Sequence, residues 1–274
     1  MNKKLKLITL AILCLTSSLY ASKKDINQSD YLYSTLWFQK SQEYKANTMS
    51  AYKLAKINLD LALKNSKWTA APMVQGENYE NKKPAIILDL DETVIDNSPF
   101  SAKLIKDNKY YDDAAWNDWQ TWIKAAKATS VPGALEFIAY AKSKNVRVFF
   151  ISNRVAHQEK DTRINLINLG IKLEKDIDTV LLKKEKKTWG SKKSTRRAQV
   201  AKDHRILLLI GDNLGDFSDL YKGTLKQRDE VAFSKKNKSL WGEKWIILPN
   251  PLYGSWETAS YGHDYSLSRD ELRL

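Results

Sequence analysis

The chain has 274 residues, of which 43% are hydrophobic and 28% charged, with a single cysteine. That supplies a sizeable core for one large domain or two small ones, and a lone cysteine excludes an internal disulfide. The net charge of +13 suits anionic partners, but the lysines are mostly dispersed and no helix-turn-helix or RNA-binding signature occurs, which argues against a nucleic-acid polymer.

Lys3, Lys4 and Lys6 precede an apolar run from Leu7 to Leu15, and small and polar residues lead to Ala21. Residues 1–21 therefore read as a secretory signal peptide cut after Ala21, although Leu19 is a poor residue three places before such a cut. The run is too short for a comfortable membrane span. Cys14 follows Leu13 rather than a small residue, so a soluble exported chain is favoured over a lipid-anchored one. Membrane association would follow only from such an anchor. The expected location is periplasmic, outer-membrane-associated or secreted.

Residues 28–66 contain neither Gly nor Pro, and Tyr52, Ala55, Leu59, Ala62 and Leu63 recur at helical spacing. This predicts one or two long helices, broken near the middle, with Met49 in the core and a surface on which a homo-oligomer could form. Pro72, Gly76 and Pro84 punctuate a loop over 68–83.

Ala85–Leu88 then runs into Asp89, Leu90, Asp91, Glu92 and Thr93. A continuous apolar run of this kind predicts a strand buried on both faces. Alternation puts Asp89 and Asp91 on one side and Leu90 on the other. Two crowded carboxylates need a metal ion or a shared proton to offset their repulsion. A helical stretch over 110–128 carries Trp116, Trp119 and Trp122 at three-residue spacing, on one face of an insert over the site. Such a stripe is usually core, but here one ring could stack on a substrate ring.

Val131-Pro132-Gly133 opens a helix over 134–144, and a second strand over 146–151 ends at Ser152, Asn153 and Arg154. A helix over 158–169 stops at Gly170. Further strands are predicted over 179–182, 206–210 and 245–248, the middle one ending in Gly211-Asp212-Asn213-Leu214-Gly215-Asp216. Strands alternating with helices give an α/β fold, a parallel sheet with helices on both faces. The strand ends bring together paired acids, a hydroxyl with an amide, a lysine and a second acid pair. Mg²⁺ wants about six oxygens, some of them water. Asp89 and Asp212 can each give one, a backbone carbonyl near Asp91 another, and Lys193 and Ser152 would hold phosphate oxygens, a set suited to phosphoryl transfer.

Asp89-Leu90-Asp91-Glu92-Thr93 resembles the nucleophile motif of the haloacid dehalogenase (HAD) superfamily. Residues 90–100, Ser152-Asn153-Arg154, 211–217 and 248–257 together resemble the class C acid phosphatases, over nearly the whole chain after the leader. The resemblance implies a HAD-like, Rossmann-like domain over 84–274 with a helical insert near 100–130, and an N-terminal helical segment over 22–83 packing on it. It also implies an exported Mg²⁺-dependent phosphatase acting on small phosphomonoesters, nucleoside 5′-monophosphates among them. Asp89 would be the nucleophile, and Asp91 the general acid, holding its proton while Asp89 stays ionised. Ser152, Asn153 and Lys193 would bind phosphate, with Lys192 as the competing lysine. Asp89, Asp91, Asp212 and Asp216 would hold Mg²⁺, and Trp116 and Tyr253 would sandwich an aromatic ring. Ser152 stands where relatives often carry Thr. The competing readings are a ligand-binding or storage relative without the chemistry, and another phosphotransfer or phosphonate-cleaving reaction of the superfamily.

Overall fold

The computed structural model describes residues 31–109, 115–262 and 264. The predicted signal peptide, Cys14 and the first residues of the predicted aromatic stretch lie outside this set. The N-terminal segment forms two helices, α1 (Tyr31–Lys40) and α2 (Gln42–Lys64). They break at Ser41, whose hydroxyl accepts the Tyr44 N–H at 3.0 Å as the N-cap of α2.

The core is a five-stranded parallel sheet of β1 (Lys83–Leu88), β4 (Arg147–Val155), β5 (Val180–Lys183), β6 (His204–Gly211) and β7 (Trp245–Ile247), in the order β5-β4-β1-β6-β7. A short antiparallel pair, β2 (Ile95–Asp96) with β3 (Thr129–Ser130), lies apart from it. That pair was not foreseen, since two-residue strands carry no periodicity. The successive faces of β1 show why the run is continuous. Ile86 and Leu88 face one apolar layer, which includes Tyr52, Ala55 and Leu59 of α2 and Phe137, Ile138 and Ala141 of α5 (Ala134–Ser143). Ala85 and Ile87 face a second, with Val200 and Ala201 of α7 (Ser194–Ala201). Both faces are covered, so polar residues have no place between Ala85 and Leu88.

The register of β1 and β6 slips once. Lys83–Ala85 pair with His204–Ile206, and Ile86–Leu88 pair with Leu208–Ile210, leaving Leu207 as an extra residue. Its carbonyl accepts the Trp68 indole N–H at 2.8 Å.

Met49 is not in the core: it is 57% exposed. Gly133, at φ +89°, lies so close to α2 that an added Cβ would meet the Met49 Cα at 3.3 Å and Tyr52 at 3.1 Å. Tyr52 takes the inward face there, and Met49 is left on the flank. Strand β4 runs four residues further than expected, to Val155, with its pairing to β5 irregular after Ser152. The polar residues Ser152–Arg154 thus continue the strand.

Between β1 and β4 lie α3 (Ser98–Lys106) and α4 (Trp116–Ala125). Phe100, Leu104, Trp119 and Ile123 form their own small core. They cover the carboxyl end of the sheet as an insert. After β4 comes α6 (Glu159–Asn168), and Gly170 follows it at φ +85°. Two further helices, α8 (Leu225–Ala232) and α9 (Ser255–Ser260), flank β7 in sequence. No helix among the described residues is long and apolar enough to cross a membrane.

Candidate active site

The chain order reverses beside β1: its successors β4 and β5 lie on one side, β6 and β7 on the other. Ligands of open α/β sheets bind at such a point, beyond the carboxyl strand ends. A cleft of about 290 Å³ opens there, lined by Asp89, Asp91, Trp116, Trp119, Ser152, Asn153, Arg154, Lys193, Asp212, Asp216 and Tyr253 among others. Asp89, Asp91, Trp116, Ser152, Asn153, Lys193, Asp212, Asp216 and Tyr253, which the sequence marked for the site, therefore border one cavity. Leu90 turns away into the core, as alternation requires.

Asp89, Asp212 and Asp216 bring carboxylate oxygens within 4.8 Å of one another. Asp89 is held by its strand end, its N–H donating to the Ile210 carbonyl at 2.9 Å. Asp212 accepts from Asn250 Nδ2 at 2.7 Å and from Thr93 Oγ1 at 3.3 Å. Asp216 accepts the Asn213 N–H at 2.9 Å. Gly211 makes room for it: a Cβ at that position would lie 2.2 Å from Asp216 Oδ2.

Among the described residues, Lys193 is the cation whose side chain bonds the carboxylates of this cluster. Lys193 Nζ donates to Asp89 Oδ1 at 2.5 Å and to Asp216 Oδ1 at 2.6 Å. Lys193 is buried at the N-cap of α7, while Lys192 has no bond to the acids among the described residues; its carbonyl accepts from Arg196. Burial first, then Asp216 and Asp89, push the Asp212 carboxyl well above the ordinary carboxylate range. Three close carboxylates against one ammonium, with oxygen donors only, fit a hard divalent cation. The residues that would hold it are Asp89, Asp212 and Asp216. Bound there, it would neutralise oxygens of a transferring phosphoryl group.

The carboxylate of Asp91 is engaged elsewhere, which leaves the backbone carbonyl expected there as the oxygen it could offer a cation. Arg154 Nη2 donates to Asp91 Oδ1 at 2.7 Å and Nε to both oxygens at 3.0 and 3.2 Å. Asn97 Nδ2 adds a bond to Oδ1 at 2.9 Å and Ser152 Oγ one to Oδ2 at 3.4 Å. These donors turn the side chain toward β4 and the insert. Asp89 stands instead against Lys193. Its carboxyl is pushed up to about 6, first by burial, against the pull of Lys193.

Arg154 and Asn97 belong to the quoted motifs, but their partners were not legible. Trp122 fixes Asn97, its indole donating to Asn97 Oδ1 at 2.8 Å, so the amide NH₂ must face Asp91. Trp116 and Trp119 border the cleft, whereas Trp122 serves this inner bond. Arg196 completes the phosphate side: it donates to the Ser152 carbonyl and, at 2.8 Å, to Asn153 Oδ1. Ser152 itself is fully buried, so its hydroxyl reaches the cleft only from beneath.

Residues 4–256 match the model of the HAD superfamily, subfamily IIIB (acid phosphatase). Among solved structures, the class C acid phosphatase from Bacillus anthracis is similar, with 38% identity and a TM-score of 0.74, over 89% of this chain and 94% of that one. A second structure of a Bacillus anthracis class C acid phosphatase, with tungstate bound, shows 36% identity and a TM-score of 0.73, over 89% and 93%.

Proposed function

Since the chain belongs to the HAD subfamily IIIB acid phosphatases, and is a phosphomonoesterase, we propose that it is an exported, Mg²⁺-dependent enzyme. Its proposed substrates are small phosphomonoesters, including nucleoside 5′-monophosphates. The carrying observation is the bond of Lys193 to Asp89 beside Asp212 and Asp216. An ammonium there neutralises the nucleophile's surroundings and can hold a phosphate oxygen once substrate enters. The tungstate of the Bacillus anthracis enzyme, a tetrahedral oxyanion like phosphate, supports an oxyanion site on this scaffold.

In this reading Asp89 attacks phosphorus in line with the leaving oxygen, forming an aspartyl-phosphate, and Asp91 must enter this step carrying a proton, which it gives to that oxygen. Asp91 then takes a proton from water as the water attacks the phosphoaspartate, which returns Asp89 and inorganic phosphate. Arg154 and Asn97 fix the Asp91 carboxylate for both proton transfers. Ser152 and Asn153, steadied by Arg196, form the phosphate side. Trp116, 45% exposed, and Tyr253 stand at the rim, where a planar leaving group would stack between them. The N-terminal segment over 22–83 supports the domain over 84–274 through the shared core of α2 and α5.

The test is phosphate release from a nucleoside 5′-monophosphate and from glycerol 2-phosphate, with Mg²⁺ and with chelator. Turnover should require the cation and vanish in Asp89→Asn. Turnover indifferent to both would refute the mechanism. An intact candidate nucleophile disfavours the ligand-storage alternative.

A further inference from the structure

One buried acid of the motif has no part in the steps above. Glu92 has no exposed surface and sits in the left-handed backbone region at φ +54°. Its Oε1 accepts the Asn97 N–H at 2.8 Å, at the first turn of the insert. Its Oε2 accepts the hydroxyl of Tyr253 and, at 3.4 Å, the Asn97 amide. A single carboxylate thereby joins the insert to the C-terminal loop, the two sides of the cleft that carry Trp116 and Tyr253. The far side of Tyr253 packs on Phe38, Tyr44 and Leu252, the first two from the N-terminal helices. The ring is held at its hydroxyl by Glu92 and along its flank by an apolar cluster.

A rim tyrosine free to turn about its side-chain bonds would lose that freedom on stacking against a ligand. A ring already fixed by a hydrogen bond to a buried carboxylate does not pay this cost at binding. Because the carboxylate also fixes the insert backbone, the spacing of the two rim rings is set before substrate arrives. We propose that Glu92 is a specificity-determining positioning residue: it holds Tyr253 in its stacking pose and so favours phosphomonoesters with a planar aromatic leaving group over aliphatic ones. This rests on the stacking role given to Tyr253 above.

The test uses the Mg²⁺-loaded enzyme, with steady-state kinetics on a nucleoside 5′-monophosphate and on glycerol 2-phosphate. Tyr253→Phe keeps the ring and removes the anchored hydroxyl. It should raise KM for the nucleotide about fivefold to tenfold more than KM for glycerol phosphate, the scale of one lost hydrogen bond. Glu92→Gln should reproduce that split, and the double variant should add nothing to either single one. Effects of the two changes that multiply, or an equal KM rise for both substrates, would overturn the proposal. Tyr253→Ala separates the two layers of the argument. If it raises the nucleotide KM while Tyr253→Phe does not, stacking stands and the anchor falls. If it changes nothing, the stacking role itself falls. Should Glu92→Gln not fold, the Phe and Ala variants still decide, because neither disturbs the Asn97 bond.

Discussion

Arg154 and Asp91 are locked by a forked pair of bonds, Nη2 and Nε both reaching Oδ1, at 2.7 and 3.0 Å. The guanidinium side chain is 1% exposed and the carboxylate 16%, so this is an ion pair largely removed from water. Breaking such a pair by deleting one partner leaves the other uncompensated. Arg154→Ala should cost about 3 kcal/mol of stability, read as a shift in the urea midpoint, and should lower kcat more than it raises KM. Arg154→Lys restores the charge without the fork, and should recover more stability than turnover.

Gly211 gives a purely steric prediction. A methyl group there would overlap Asp216, with its Oδ2 at 2.2 Å and its Cβ at 2.5 Å. Gly211→Ala should therefore expel Asp216 from Lys193 and from the acidic cluster. The expected outcome is near-complete loss of turnover, together with loss of a Tm increase on adding Mg²⁺ that the unaltered chain should show. Calorimetry with and without the cation reads both.

Trp122→Phe tests the orientation of Asn97. The phenyl ring preserves packing against Phe100 but cannot donate to Asn97 Oδ1. A buried amide oxygen is left without its donor, which should cost about 1–2 kcal/mol. The freed amide can then rotate its NH₂ away from Asp91. A several-fold fall in kcat should accompany the lower Tm.

Without metal, the pH dependence of stability should run opposite to that of an acid held below its ordinary range. The Asp89 carboxyl has its folded value raised from 3.8 to about 6, first by burial. Between those values the folded state keeps a proton that the unfolded state has released. Stability is therefore fully present below the lower value and is lost as pH rises toward the higher one. Burial raises Glu92 and Asp212 in the same direction, extending the loss to higher pH. Chelator-treated protein should thus show a falling Tm from acid toward neutral pH, and added Mg²⁺ should reverse that trend. A metal-free Tm that climbs over the window would refute the account.

What could be read in advance followed from local rules. The run from Ala85 to Leu88 has to be a two-sided strand, and the acids after it have to stand at its carboxyl end. Gly170 ends its helix where a left-handed residue is needed. What could not be read were contacts set by tertiary approach. Nothing local shows that Arg154 turns inward to Asp91, or that Met49 is displaced by the close passage of Gly133. Strand β4 reached past its apolar stretch because Ser152 and Val155 find partners in β5, a fact of pairing rather than of composition. Helix α8 buries none of its residues, so it offered no apolar stripe to detect.

The spare leucine in β6 has a consequence for the chemistry. Were Leu207 drawn into the regular ladder, Leu209 would fall opposite Leu88 in place of Ile210, and every later side chain of the strand would point to the reverse face. Asp212 would then arrive one step out of phase with Asp89, its carboxylate turned from the acid it must meet. The centre is thus timed by a count made at the far end of the strand, among residues that never touch substrate. A strand forced into unbulged register there should silence the enzyme as surely as removing an aspartate.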